Sequence, residues 1–266
     1  MDLHLTGKIA VVTGGTRGIG KAIARSLTSE GMDVAIVGRD VEAAKATASE
    51  ISSETGRMVR AYAADTGKDD AVRAAVAAIR SDFGRIDVLV NSAAQPSGQA
   101  KPPSLSEITD EMFWSDVNVK VMGYLRMARE VAPLMTEQGW GRIINISGLG
   151  ARQTGTTVGS IRNVGVAALT KNLADELGPR GINVTCVHPG LTRTEKTPGV
   201  IAWRAGLTKK TEAEVEKAMN DLNTIRRLVT AEEIGHIVAF LASPKSIAIN
   251  GDAIAAGGGA PGSIYY

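Results

Sequence analysis

The chain has 266 residues, 44% of them hydrophobic, with 30 basic and 28 acidic side chains and a formal net charge of +2. That length fits one α/β domain, and the interspersed charges give no case for nucleic acid or an acidic membrane surface as a partner. A single cysteine, Cys186, excludes a disulfide framework; no apolar run is long enough to span a bilayer, and Met1-Asp2-Leu3-His4 lacks a signal-peptide core, so a reducing cytoplasm is expected.

Residues 9–13 form a β-branched apolar run that predicts a buried parallel strand. Gly14, Gly18 and Gly20 follow, and Ile19, Ile23 and Leu27 then recur at helical spacing. Residues 33–37 predict a second strand, and Asp40 a helix cap for a helix running to about residue 53. A strand is expected at 59–63, a helix at 67–82 and a strand at 86–90. A long helix covers about 110–138, with Pro133 near its end as a candidate kink. A strand at 141–146, a helix at about 157–178 and a strand at 182–187 follow, the last burying Cys186. Residues 194–222 are polar and irregularly patterned and read as a mobile helical insert. Thr230 and Glu233 fit a capping box, and 253–256 a last strand. Alternating strands and helices with short connections predict a single domain over 1–266, with no internal repeat. Its fold class is α/β: a Rossmann-type doubly wound parallel sheet flanked by helices on both faces, with ligands at the carboxyl ends of the strands.

Strand, glycine turn and helix together predict a nucleotide site. Glycines let the backbone approach a pyrophosphate, and the helix N-terminus offers N–H groups to it. Arg17 lies inside the turn, and Gly38-Arg39 stands where a carboxylate would select a ribose hydroxyl. Two guanidinium groups with no acid at Gly38 favour NADP(H) over NAD(H).

The TGxxxGIG spacing of Thr13 to Gly20 resembles the short-chain dehydrogenase/reductase family, and the resemblance extends over about residues 5–259. It implies phosphate binding by Gly14, Thr16, Arg17, Gly18, Ile19 and Gly20, with Arg39 at the 2′-phosphate. Asp65 is implied to lie against adenine, and Asn91-Ser92-Ala93-Ala94 matches the family's NNAG segment at two of four residues, which puts Asn91 and Ala93 at the cofactor. The run Pro189-Gly190-Leu191-Thr192-Arg193-Thr194 resembles the PGxxxT segment, placing Pro189, Gly190, Thr192 and Thr194 at the nicotinamide carboxamide. His188 borders that segment and reads as a shaping residue more than a catalytic one. A homo-oligomer, tetramer or dimer, and a small-molecule substrate are implied too; no metal site is expected.

The same resemblance calls for Asn, Ser, Tyr and Lys at the reaction centre, the last two as YxxxK on one helical face. Asn118 matches the asparagine. Counting from the strand at 141–146 puts Gly148 at the serine, Ile161 at the tyrosine and Gly165 at the lysine; a one-residue slip gives Ser147, Ser160 and Val164 instead. No tyrosine lies between Tyr124 and Tyr265, and the helix at 157–178 has no lysine before Lys171, so the proton-transfer pair is missing in either register. Ser147, Ser160 and Arg162 are candidate substitutes, as is the Tyr265-Tyr266 tail; Tyr124 reads as a packing residue. The expectation is an NADP(H)-dependent oxidoreductase with a non-standard proton-transfer site. Two alternatives stay open: a hydrolase or lyase on the same fold, and a nucleotide-binding sensor or partner subunit without catalysis.

Overall fold

A computed structural model describes residues 1–95 and 101–261. Its first strand, β1 (Ile9–Thr13), is buried at every position, as a strand covered on both faces must be. Six further parallel strands join it: β2 (Asp33–Gly38), β3 (Val59–Ala63), β4 (Val88–Asn91), β5 (Gly141–Ile146), β6 (Ile182–Pro189) and, after a two-stranded outlier, β9 (Ala253–Ala256). Their order is β3-β2-β1-β4-β5-β6-β9. β1 pairs with β2 on one side and β4 on the other, with Thr13 opposite both Val37 and Asn91. The strand order reverses there, so the carboxyl ends of β1 and β4 open a crevice.

Helices cover both faces. α1 (Gly18–Ser29) and α2 (Val41–Thr55) pack on one face with α9 (Ala231–Ala242), around Ile23, Leu27, Ile51 and Val238. α3 (Asp69–Phe83), α5 (Gly123–Gln138) and α6 (Thr157–Leu177) pack on the other, around Ile79, Met127, Val131 and Leu177. Asp40 caps α2 by accepting from Ala43 N–H at 3.0 Å, as its sequence position predicts. The Thr230–Glu233 capping box opens α9. Asp87, fully buried, joins two sheet neighbours by accepting from Ile9 N–H at 2.9 Å while paired with Arg85.

The long helix is α4 (Asp110–Val117) running through a π turn (Asn118–Met122) into α5, which continues past Pro133 to Gln138. A π turn inserts a residue into the helical ladder and so rotates the downstream helix about its axis. The 194–222 region holds α7 (Thr197–Thr208) and α8 (Glu212–Asn220), with a small core of Ile201, Ala205, Val215, Met219 and Leu228. Its irregular pattern has a cause: its apolar residues divide between that core and an open groove lined by Trp203, Leu207 and Leu222. β7 (Thr192–Arg193) and β8 (Val229–Thr230) pair across the insert; two-residue strands leave no periodic signal in a sequence. Among the described residues, no helix is long and apolar enough to cross a membrane, and no three His, Cys, Asp or Glu side chains gather as a metal site.

Candidate functional site

The crevice at the β1–β4 switch point is a cleft of about 460 Å³. The predicted residues Gly14, Thr16, Arg17, Gly18, Ile19, Gly20, Arg39, Asp65, Ala93 and Thr194 all line it. Glycine is required at two of these positions by contact: a Cβ on Gly20 would lie 2.2 Å from Gly14 O, and one on Gly14, at φ 67°, 2.9 Å from the Ala93 backbone. At Gly38 a Cβ would meet the Thr16 side chain, with Cγ2 at 2.9 Å.

Charge in the cleft is asymmetric. Asp40 is spent on the α2 cap, and Asp65 accepts from Gly67 N–H at 2.9 Å. Arg17 and Arg39 are exposed, and neither guanidinium has a partner among the described residues. Glu195, which sequence reasoning missed, lines the cleft and accepts from Gly18 N–H through both carboxylate oxygens, at 3.1 and 3.2 Å. The amide at the start of α1 thus holds an anionic group. Two unpaired arginines, a glycine turn with an anion on it, and an open cleft fit a dinucleotide phosphate.

Other predicted cofactor residues do not line the cleft. Asn91 is fully buried and donates to Asn145 Oδ1 at 2.9 Å, bracing β4 to β5. Pro189, Gly190 and Thr192 do not line the cleft. A Cβ on Gly190 would meet Gly257 Cα at 2.9 Å, and Thr192 Oγ1 donates to Gly190 O. His188 is buried, and burial pushes its imidazole down to about 4, leaving it neutral; its Nδ1 lies 3.8 Å from Cys186 Sγ. Burial pushes the Cys186 thiol up to about 11, an inert state.

The reaction corner differs from its expected register in three places. Asn118 does not face it: its Nδ2 donates to Gly67 O at 3.2 Å and its Oδ1 accepts from Arg126 at 2.8 Å. The π turn presents Lys120 to the cleft instead, 5% exposed, with Nζ donating to Ser147 O at 2.8 Å. Ile161 is 50% exposed and Gly165 points at Val121; neither lines the cleft. The physical reason is helix phase. The buried stripe of α6 is Asn163, Val166, Thr170, Ala174 and Leu177, and one turn earlier it reaches Gly159. Asn163 is the residue against Gly148, its Nδ2 3.2 Å from where a Cβ there would stand. The short link between Gly148 and α6 thus brings 159 and 163 to the corner, two positions before 161 and 165.

Ser147 lines the cleft and donates to Asn163 O at 3.0 Å, whereas Ser160 donates to Gln153 O at 3.1 Å and holds the loop. Tyr124, one turn after Lys120, is buried with its hydroxyl on Ile146 O at 2.9 Å, and burial pushes its pKa up. A phenol so placed packs; it donates to no ligand. Tyr265 and Tyr266 lie outside the described residues. Burial, then the charge of Arg162, holds Lys120 down to about 7.

Beside the corner runs a groove of about 810 Å³, lined mostly by apolar side chains such as Met112, Trp203, Leu207 and Leu222. Gly159 and the Arg162–Asp116 pair, 2.5 Å apart and only 14% and 17% exposed, form its inner wall. Arg162 is therefore neither solvated nor free.

Comparison with known proteins gives a consistent result. The sequence profile of a family described as enoyl-(acyl carrier protein) reductase matches residues 14–260. The short-chain reductase protein NovJ of Streptomyces niveus is 35% identical over 254 residues, 95% of this chain and 94% of that protein. A 3-oxoacyl-[acyl-carrier-protein] reductase, FabG of Chlamydia muridarum, is 32% identical over 97% of this chain and 99% of its own. The structure of L-sorbose reductase from Gluconobacter frateurii, complexed with NADPH and L-sorbose, superposes with a TM-score of 0.93 at 28% identity, covering 99% of this chain and 100% of that one. With the parallel sheet, the glycine turn and matches over nearly its whole length, the chain belongs to the short-chain dehydrogenase/reductase family of oxidoreductases.

Proposed function

We propose that the protein binds NADP(H) and catalyses hydride transfer between it and a small carbonyl or alcohol compound, with no tyrosine in the proton path. The observation that carries this reading is the Glu195 carboxylate on Gly18 N–H beside two arginines with no partner among the described residues, next to an apolar groove. NADP(H) supplies the hydride when bound. Arg17 and Arg39 hold the 2′-phosphate, and Gly38 leaves no acid to oppose it. The family's asparagine, serine, tyrosine and lysine positions are taken here by Lys120, Gly148, Gly159 and Asn163. The groove of Met112, Trp203, Leu207 and Leu222 admits a substrate with an apolar portion, and the α7–α8 insert lines one side of it.

Exposed Trp114, Met122, Ile161 and Val164 lie on α4–α6, and we assign this apolar face to a homo-oligomer, tetramer or dimer, of a cytoplasmic protein. A second reading has a specific observation behind it: Gly148, Gly159 and Asn163 offer no group that ionises, which suits a nucleotide-binding partner subunit. Stereospecifically deuterated NADPH, incubated with a panel of ketones, aldehydes and quinones, separates the two. Deuterium in any product supports the oxidoreductase; tight NADPH binding with no label transferred across the panel favours the partner subunit.

A further inference from the structure

Lysine is among the residues least often found buried without a partner, because removing an ammonium from water is costly. Lys120 is 5% exposed and makes no ion pair among the described residues. The nearest acid on its own helix, Asp116, is committed to Arg162. One of its three N–H groups goes to Ser147 O; two remain, at a side chain that lines the nucleotide cleft. Across the corner, Asn163 is 6% exposed, sits against Gly148, and its Oδ1 has no hydrogen-bond partner among the described residues. A neutral amide thus occupies the α6 place where the family's pattern puts a cation. A cation occupies the place, on the facing helix, where that pattern puts an amide. The corner has kept both groups and exchanged the helices that supply them.

We propose that Lys120 is the acid and base of this reaction centre, with Asn163 in the reciprocal place on α6. The proposal rests on the NADP(H) reading above. In reduction, the carbonyl carbon gains a C–H bond with the two electrons of the hydride from NADPH, leaving NADP⁺. The carbonyl π bond breaks, and the oxygen takes a proton from Nζ. The neutral amine is then reprotonated from water. Oxidation runs the same steps backwards. Gly148 and Gly159 add no side chain of their own to the corner; Asn163 Nδ2 and Thr156 Oγ1 stand nearest to where their Cβ atoms would lie.

The groups facing Lys120 leave the neutral range to it. Cys186 on β6 is pushed up to about 11 and His188, on the same strand, down to about 4, while Asp116 of α4 and Arg162 of α6 neutralise each other as a pair. Lys120 itself is held down to about 7, where an acid–base group works in both directions. Reduction therefore falls, and oxidation rises, as pH passes upward through the neutral range.

The test uses the full chain carrying [ε-¹³C]lysine, titrated by NMR from pH 5 to 10 with and without NADP⁺, with Lys120→Arg to assign the signal. The expected result is one resonance with a midpoint near neutrality, missing in Lys120→Arg and displaced by NADP⁺. With a substrate from the deuterium-transfer panel, Lys120→Met loses at least ~100-fold in turnover, and Lys120→Arg loses the neutral limb of the pH profile. If Lys120→Met does not fold, the exchange variant Lys120→Asn, Asn163→Lys keeps the same pair of groups and moves the titrating signal to residue 163. A lysine that titrates in the ordinary range, or that ignores NADP⁺ while calorimetry shows it bound, overturns the assignment alone. No binding of NADP⁺ or NADPH overturns the nucleotide reading and this role with it.

Discussion

The glycine turn and the reaction corner lie at the ends of neighbouring strands, yet they have changed to very different degrees. At the turn, Gly14 and Gly20 are held by backbone contacts of 2.2 to 2.9 Å, so no side chain fits at either position. At the corner, side chains and not backbone define the groups presented, and Lys120, Gly148, Gly159 and Asn163 stand there. Binding geometry is built into the fold at the turn, while reactivity at the corner rests on four replaceable side chains.

The strongest way to break this contrast is to rebuild the corner. Lys120→Asn, Gly148→Ser, Gly159→Tyr and Asn163→Lys together should raise NADPH-dependent reduction of simple ketones by ~10²–10⁴-fold over Lys120→Asn alone, the usual contribution of a placed acid–base group. A Cβ on residue 159 would stand 2.2 Å from Thr156 Oγ1, so the variant also carries Thr156→Gly, which retains a helix cap. A folded, NADPH-binding variant with unchanged rates would show that the corner is not where turnover is lost.

Next in size is cofactor choice. Arg39→Asp should turn a preference for NADPH into one for NADH, shifting the ratio of dissociation constants by at least ~10-fold, since it replaces a phosphate donor with a ribose acceptor. An unchanged ratio by calorimetry would place the 2′-phosphate elsewhere.

Stability against pH sharpens the reading of Lys120. Its folded pKa lies below the unfolded value of ~10.4, so between about 7 and that value the unfolded chain binds more protons. Wild-type stability from this group therefore rises with pH across that window, by up to ~1.4 kcal/mol per pH unit. Below pH 7 the full cost of burying the ammonium is present. Urea unfolding at pH 7, 8 and 9 should show this rise, and Lys120→Met should lack it. Parallel curves for the two proteins would mean that Lys120 keeps an ordinary pKa.

The smallest expected effect is at Glu195. Its carboxylate competes for Gly18 N–H, so Glu195→Gln should tighten NADPH binding by ~3–5-fold, the scale of a favourable charge change at a helix N-terminus. Weaker binding would mean that Glu195 contributes to the bound state and does not compete with it.

Much of the frame was legible because short strands alternate with amphipathic helices over short connections. Val59–Ala63, Gly141–Ile146 and Ala253–Ala256 end where their sequence patterns do, and the turn from Gly14 to Gly20 identifies its own place at the switch point. The corner was legible only as an absence. Counting from β5 to α6 presumes a fixed loop length, and the loop after Gly148 brings Asn163, not Gly165, to the strand end. The buried stripe from Asn163 to Leu177 carries the correct phase, which helical periodicity records and residue counting does not. Asn118 matched by identity, but the π turn hands it to Gly67 and brings in Lys120, and no pattern in Val119-Lys120-Val121 announces an extra residue in the ladder. The lysine between apolar neighbours was the one available hint. Glu195 gave no signal, because its partner is a backbone amide distant in sequence.

The proposed nucleotide site, beside a corner with no tyrosine among the described residues, is tested most directly by calorimetric titration of the wild-type chain with NADPH and NADH. Saturable binding of both, with NADPH at least several-fold tighter, is the predicted result. No heat from either nucleotide, or tighter binding of NADH, would contradict it.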